Sequence, residues 1–161
     1  MDSAGCRERL GTMLVETCAA LEELAVTLER EHQLLASNEV AALQGAMRER
    51  QRTIARVVRL DEGRERLCRQ LGYPANSQGL QRLFAWCDPQ GTLAGKWGQC
   101  ASIAKKCRAL NDRNATLVSA RLRHVQARLG ALVKRRRESV TYGPRGGYPT
   151  LASGEVVALK A

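Results

Sequence analysis

The sequence predicts an all-α protein: an elongated antiparallel helical bundle, or coiled-coil hairpin, with a long C-terminal helix and a disordered tail. Apolar residues recur at helical rather than strand spacing along most of the 161 residues. Two tryptophans, three tyrosines and one phenylalanine are too few for the core of a typical β-sandwich or barrel. Hydrophobic residues make up 44% and charged residues 26%, which is ordinary for a folded domain and makes wholesale disorder unexpected.

The first two helices are predicted over residues 8–36 and 38–71. In the first, leucines recur every seven residues, at Leu14, Leu21, Leu28 and Leu35, with Leu10 and Leu24 as companions. Ser37 and Asn38 interrupt this pattern, and either can cap the second helix. The predicted seam of the second helix consists of Val40, Leu43, Met47, Ile54, Val57, Cys68 and Leu71. Because the connection is short, we expect an antiparallel hairpin.

A short helix over 77–87 and a long one over 93–138 complete the predicted helical domain, residues 1–138. Asp88 to Gly91 separate the two helices. The predicted frame of the long helix is Leu93, Trp97, Cys100, Ala104, Cys107, Asn111, Asn114, Val118, Leu122, Val125, Leu129 and Leu132. Residues 139–161 are rich in glycine and proline and poor in charge, so we expect a mobile tail.

The net charge of +10 is concentrated in one half of the chain. Residues 1–76 carry a net charge of −1, whereas residues 77–161 carry +11. A basic half is typical of proteins that bind nucleic acid or an acidic protein surface, although 21 of the 26 basic residues are arginine and can reflect genome composition. The run Lys134–Arg137 is explained either by a solvated helix C-terminus or by contact with an acidic protein or with phosphates.

No catalytic, metal or cofactor motif stands out, so we expect a protein that is not an enzyme and holds no cofactor. The six cysteines form no C-x-x-C pair, and the start Met1-Asp2-Ser3 does not resemble a secretory signal. We therefore expect the cysteines to be small apolar residues in helix seams rather than a disulfide framework. No stretch is long and apolar enough for a transmembrane helix, so membrane insertion is not expected.

The second half of the long helix carries a regular apolar stripe: Val118, Leu122, Val125, Leu129 and Leu132. Such a stripe can be intramolecular core, a homodimer interface or a face that accepts an amphipathic helix of another protein. Asn111 and Asn114 interrupt the stripe upstream. They either fix the helix register or line a partner site.

Several short motifs resemble those of the FlgN family of flagellar export chaperones. They are Lys96-Trp97, Leu110-Asn111-Asp112-Arg113-Asn114, the positions Leu117, Gln126, Leu129 and Leu132, and Tyr142-Gly143-Pro144-Arg145-Gly146. The resemblance spans residues 10–147. It implies a cytoplasmic, non-enzymatic chaperone of type III flagellar export that binds the C-terminal segments of the hook–filament junction proteins FlgK and FlgL.

The resemblance also implies roles for individual residues. The expected substrate-binding residues are Asn111, Asn114, Val118, Leu122, Val125, Leu129 and Leu132. Delivery to the export gate protein FlhA is expected to use Tyr142, Gly143 and Gly146. A homodimer is possible, and no specific nucleic acid is expected. The alternative function is that of a basic coiled-coil scaffold or nucleic-acid-binding protein.

Overall fold

The computed structural model describes the backbone of residues 1–139 and the side chains of residues 1–133. This part of the chain forms four α-helices and no strand: α1 (Ser3–Ser37), α2 (Val40–Gln70), α3 (Ser77–Cys87) and α4 (Thr92–Ser139). The predicted all-α class is confirmed. The chain divides into two compact units, Met1–Ala120 and Arg121–Ala161. The predicted mobile tail from residue 140 onward lies outside the described residues.

Local capping explains where the first helices begin and end. α1 begins at Ser3, earlier than the predicted residue 8, because the Asp2 side chain accepts a hydrogen bond of 3.0 Å from the Gly5 N–H. α1 ends where Asn38 adopts a left-handed conformation with φ of 65°. This sharp end leaves room for only a short connection before α2 begins, and the two helices form the predicted hairpin.

The leucine repeat of α1 forms the core of the first unit, as predicted. All six leucines of the predicted repeat are buried: Leu10, Leu14, Leu21, Leu24, Leu28 and Leu35. Near the start of α1, Leu10 and Leu14 pack with residues from the end of α2, from α3 and from the start of α4. Farther along α1, Leu24 and Leu28 pack against Cys107 of α4. The core therefore follows one face of α1 along most of its length.

The face that α2 packs on α1 is rotated from the predicted one in the first half of the helix. The buried residues of α2 are Ala46, Thr53, Leu67 and Cys68. Of the predicted seam, Cys68 is buried and Leu43, Val57 and Leu71 are half-buried, as predicted, whereas Val40, Met47 and Ile54 are exposed. The prediction of the seam was therefore wrong at these last three positions.

A buried ion pair with α1 explains the orientation of α2. Arg50 Nη1 lies 3.2 Å from Glu31 Oε2. Glu31 is buried, so separating it from Arg50 would leave its carboxylate without compensation. Thr53 is also buried; its hydroxyl hydrogen-bonds to the Glu49 carbonyl of its own helix at 3.1 Å and lies 3.3 Å from Glu23 Oε1. In this orientation Val40, Met47 and Ile54 are exposed.

α4 runs parallel to α1 within the first unit. The Cys107 thiol donates a hydrogen bond of 3.3 Å to the Leu21 carbonyl, and Asn114 Nδ2 donates one of 2.8 Å to the Leu28 carbonyl. Both pairs are 86 residues apart in sequence. Because the sequence separation is the same for both pairs, α1 and α4 run in the same direction and stay in register over these seven residues.

The predicted α4 frame is correct at every seventh position and at Trp97, which is half-buried and packs against the core, and it is wrong at the later positions in between. Leu93, Cys100, Cys107 and Asn114 are buried. The companions that turn toward α1 are the half-buried Ile103, Leu110 and Leu117, while the predicted Ala104, Asn111 and Val118 are exposed. After Cys100, Cys107 and Asn114 the companion therefore lies three residues along α4 rather than four.

Two of the six cysteines form a disulfide bond, contrary to the prediction. Cys18 of α1 and Cys100 of α4 are joined, with their Cα atoms 5.0 Å apart. That distance is within the usual range for a disulfide. Four other cysteines, Cys6, Cys68, Cys87 and Cys107, are free and buried, as predicted. Burial raises the pKa of the Cys6 thiol to about 12, so it stays protonated.

Reduction of the Cys18–Cys100 bond is expected to destabilise the protein. The bond spans 82 residues, and opening a loop of this size increases the entropy of the unfolded chain, which costs about 4 kcal/mol of stability. Under oxidising conditions, titration of the unfolded chain should find two fewer thiols than after reduction. Thermal unfolding should shift to lower temperature on reduction, whereas a C18A variant should not respond to the reductant.

Candidate protein-binding site

The described part of the second unit presents an exposed apolar face on α4. We call this face the α4 stripe: Leu122, Val125, Leu129 and Leu132. Each of these side chains is 52–61% exposed. Their spacing of three and four residues places them on one side of the helix. This exposure excludes the interpretation that the stripe is intramolecular core within the described residues. Burying each side chain against a partner would contribute about 1 kcal/mol or more.

The surroundings of the α4 stripe are basic. From Arg121 to Val133 the sequence contains three arginines and one histidine but no acidic residue. Arg128 follows Val125 by three residues and precedes Leu132 by four, so it lies beside the stripe. Ala127 and Ala131 lie on the opposite side of the helix and are exposed. A segment with both apolar and acidic side chains therefore complements the α4 stripe and its basic surroundings better than a purely apolar segment does.

The two predicted asparagines occupy different environments in the first unit. Asn114 is buried; in addition to its bond to Leu28, its Oδ1 lies 3.0 Å from His32 Nδ1. Asn111 is exposed, as is Val118, at 47%. Asn114 therefore supports the alternative in which the side chain fixes helix register. Asn111 and Val118 lie on a surface that a partner can reach.

Next to Asn114, a buried carboxylate connects α1 to α2. Glu31 is almost fully buried, and its Oε2 pairs with Arg50, whereas Oε1 has no hydrogen-bond partner among the described residues. Burial raises the pKa of the Glu31 carboxyl, and this effect is opposed by the charge of Arg50 and by the nearby Asn114 side chain. The cluster holds the three long helices together near this level of α1.

A groove of about 310 Å³ opens between α2 and α4 in the first unit. Val57 and Val58 form one wall, Ala101 and Ala104 form the other, and Leu21 of α1 lies between them. The Arg64 guanidinium lies 5.2 Å from the centre of the Trp97 ring and links α2 to α4. Sequence reasoning missed this groove because it placed Val57 in the seam.

The remaining predicted site residues lie beyond what the structure describes. Tyr142, Gly143 and Gly146 fall after Ser139, and the side chains of Lys134–Arg137 follow Val133. Among the described residues, no three His, Cys, Asp or Glu side chains are arranged to hold a metal ion. No helix in this same part of the chain is long and apolar enough to cross a membrane.

The buried Glu31 is expected to make stability depend on pH. Its folded-state pKa is raised, so the carboxyl ionises less readily in the folded than in the unfolded chain. Below the ordinary value of 4.5 both states are protonated and Glu31 contributes nothing. As the pH rises through the folded-state pKa, the free energy of unfolding should fall relative to that of a Glu31→Gln variant.

The measurement is denaturant unfolding of both proteins across that pH range, with NMR titration of the Glu31 carboxyl. Arg50→Gln should raise the Glu31 pKa further, because the charge of Arg50 opposes the effect of burial. A stability difference between wild type and Glu31→Gln that does not change with pH would contradict this account.

Comparison with known proteins gives one result that covers nearly the whole chain. Residues 1–150 match the family described as FlgN protein. No curated protein and no solved structure gives a significant match. The match includes all four helices and extends over Tyr142 and Gly146, and it agrees with the family resemblance of the sequence motifs. The chain therefore belongs to the FlgN family, and its general role is that of a flagellar export chaperone.

Proposed function

We propose that this protein binds the C-terminal segments of the hook–filament junction proteins FlgK and FlgL in the cytoplasm and delivers them to the export gate protein FlhA. The observation that carries the proposal is the exposed α4 stripe in a chain of the FlgN family. An export substrate that is not yet folded exposes amphipathic segments that self-associate or are cut by proteases. A helix with an exposed apolar face covers such a segment.

The expected affinity follows from the cost of ordering the substrate. A disordered segment loses conformational entropy when it folds on the α4 stripe, and that loss is subtracted from the gain of burying apolar surface. The stripe offers only four large side chains, so the net affinity is moderate. Moderate affinity suits a chaperone that must release its substrate at the gate.

Residues of the first unit contribute to substrate binding in different ways. Val118 and Asn111 are exposed on α4 and are proposed as direct contacts. Asn114 is proposed to act indirectly, because its amide is engaged with Leu28 and His32 and has no route to a partner. Its contribution is to set the register in which the first unit's part of α4 presents Asn111 and Val118.

Delivery is assigned to the segment after the helices, on the basis of the family motif alone. Tyr142 is proposed to bury its ring on FlhA, with Gly143 and Gly146 allowing close approach of the backbone. These residues are separate in sequence from the α4 stripe, so docking and substrate binding can occur on the same molecule.

The α4 stripe is tested by the double variant V125D/L129D. Two carboxylates on this face would have to be desolvated against the apolar side of the substrate, so affinity for a FlgK C-terminal peptide should fall at least about tenfold. Isothermal titration measures the affinity, and circular dichroism should show unchanged helix content, because both residues are exposed.

A matched control is A127D/A131D, which has the same spacing and charge on the opposite side of α4. This variant should bind the FlgK peptide as wild type does. Wild-type affinity in V125D/L129D would place the substrate site elsewhere, and unfolding of that variant would show that the stripe is core.

The gate-docking role is tested by Tyr142→Ala. Stability and FlgK affinity should be unchanged, while affinity for the cytoplasmic domain of FlhA and secretion of the junction proteins should fall, because the aromatic anchor is lost. Tyr148→Ala is the control, since Tyr148 lies in the same segment but outside the motif. An equal loss in both variants, or no loss in Tyr142→Ala, would contradict the assignment.

A further inference from the structure

The two sulfurs of the disulfide between α1 and α4 differ in accessibility. Cys18 of α1 is half-buried, whereas Cys100 of α4 is only 2% exposed. Thiol–disulfide exchange begins when a thiolate reaches one sulfur of the bond, so access decides which sulfur is attacked. An external thiol therefore reaches the bond at Cys18.

The other four cysteines are protected from such exchange in the folded protein. Cys6, Cys68, Cys87 and Cys107 are buried, and burial raises the pKa of each thiol. A buried thiol that stays protonated is inert as a nucleophile. All six cysteines of the chain lie within the described residues, so Cys18–Cys100 is the one pair among them that is open to exchange.

The packing of α4 on α1 does not depend on the disulfide alone. Cys100 Sγ lies 3.4 Å from the Leu14 carbonyl oxygen, and these two residues have the same separation of 86 as Cys107 and Leu21. The free Cys107 thiol donates a hydrogen bond to the Leu21 carbonyl, and a reduced Cys100 thiol can do the same at Leu14. A partner for the reduced thiol is therefore in place without rearrangement of the helices.

We propose that Cys18–Cys100 is a reversible thiol–disulfide exchange site, which a dithiol reductant opens by attack on Cys18, and that its redox state controls the groove between α2 and α4. The proposal rests on the cytoplasmic location of the proposed function, because thiols are kept reduced in that compartment and a disulfide there is typically transient and redox-sensing. The accessible sulfur of Cys18 also fits a labile bond rather than a permanent cross-link.

The exchange takes two steps and leaves the protein as a dithiol. A thiolate of the reductant attacks Cys18 Sγ, the bond to Cys100 breaks, and Cys100 leaves as a thiolate that takes a proton from water. The second thiolate of the reductant attacks the reductant's own sulfur in the mixed disulfide and releases Cys18, which is protonated in turn. The protein gains two electrons and two protons, and the reductant is oxidised to a disulfide. Exchange with a disulfide oxidant closes the bond again.

The effect on the groove follows from where the bond meets α4. Cys100 lines the groove together with Trp97 and Ala104, which lie about one helical turn to either side of it. The closed bond fixes this part of α4 to α1, whereas after reduction only noncovalent contacts hold it there. The α4 wall can then move more readily against the α2 wall, which it contacts through Arg64 and Trp97.

The first experiment maps the attack on the full chain with glutathione. Oxidised wild type is incubated with reduced glutathione in native buffer, quenched with iodoacetamide and digested for mass spectrometry. Glutathione should be found on Cys18 at least about tenfold more often than on Cys100, because access decides which sulfur is attacked. The four buried thiols should react with iodoacetamide only after unfolding. Equal labelling of the two sulfurs, or glutathione chiefly on Cys100, would contradict the proposal.

The second experiment tests whether the bond opens reversibly in the folded protein. Dithiothreitol should expose two additional thiols in native buffer with little loss of helix content, and oxidised glutathione should remove them again. C107A, which lacks the neighbouring cysteine of α4 but keeps the pair, should respond in the same way. A bond that opens only in denaturant, loss of the fold on reduction, or six thiols in the oxidised protein would each overturn the proposal.

Hydrogen exchange tests the effect on the groove. On reduction of wild type, the amides of residues 97–104 should exchange at least about tenfold faster, while those of residues 40–47, at the far end of α2, should change little. C18S/C100S should exchange like reduced wild type with or without dithiothreitol. Unchanged exchange at 97–104 on reduction of wild type would refute control of the groove.

These measurements are independent of substrate binding. Failure of the FlgK peptide to bind wild type would contradict the proposed function and leave the thiol results as they stand. A bond that dithiothreitol cannot open in native buffer would contradict the exchange site and leave FlgK binding unaffected.

Discussion

The contact on which the rest of the first unit depends is the packing of small α4 side chains against the backbone of α1. At every seventh residue a cysteine or an asparagine of α4 meets a leucine carbonyl of α1. Small side chains let the helices approach closely, and the Cys107 thiol and the Asn114 amide donate hydrogen bonds to the carbonyls of Leu21 and Leu28. The contact sets the direction and register of α4, and it brings Cys18 next to Cys100.

A second constraint comes from polar residues of α1 that have to be satisfied. Glu31 is buried and pairs with Arg50 of α2, and Glu23 lies close to Thr53 and Arg56. In this orientation Ala46 and Thr53 are buried, and Val40, Met47 and Ile54 are exposed. Which residues of α2 are buried therefore depends on a polar contact as well as on the apolar pattern.

Sequence periodicity predicted the helices well and their faces less well. The α1 leucines were placed correctly, although Glu31 in the same seam is buried with them and pairs with Arg50. In α2 the same reasoning misplaced Val40, Met47 and Ile54, because a pattern of apolar residues does not show that Glu31 is buried and needs Arg50. In α4 it could not separate companions three residues along from those four along, since that choice depends on how closely two helices approach. The Cys18–Cys100 pair was missed because its 82-residue separation leaves no local signal.

The disulfide also changes the topology of the chain. With Cys18 bonded to Cys100, residues 18–100 form a covalent ring that contains α2 and α3. Cleavage at a single peptide bond in the turn at Gly72, between α2 and α3, would leave the two fragments joined. Because the bond joins Cys100 to Cys18, the beginning of α4 stays covalently attached to α1 at this point.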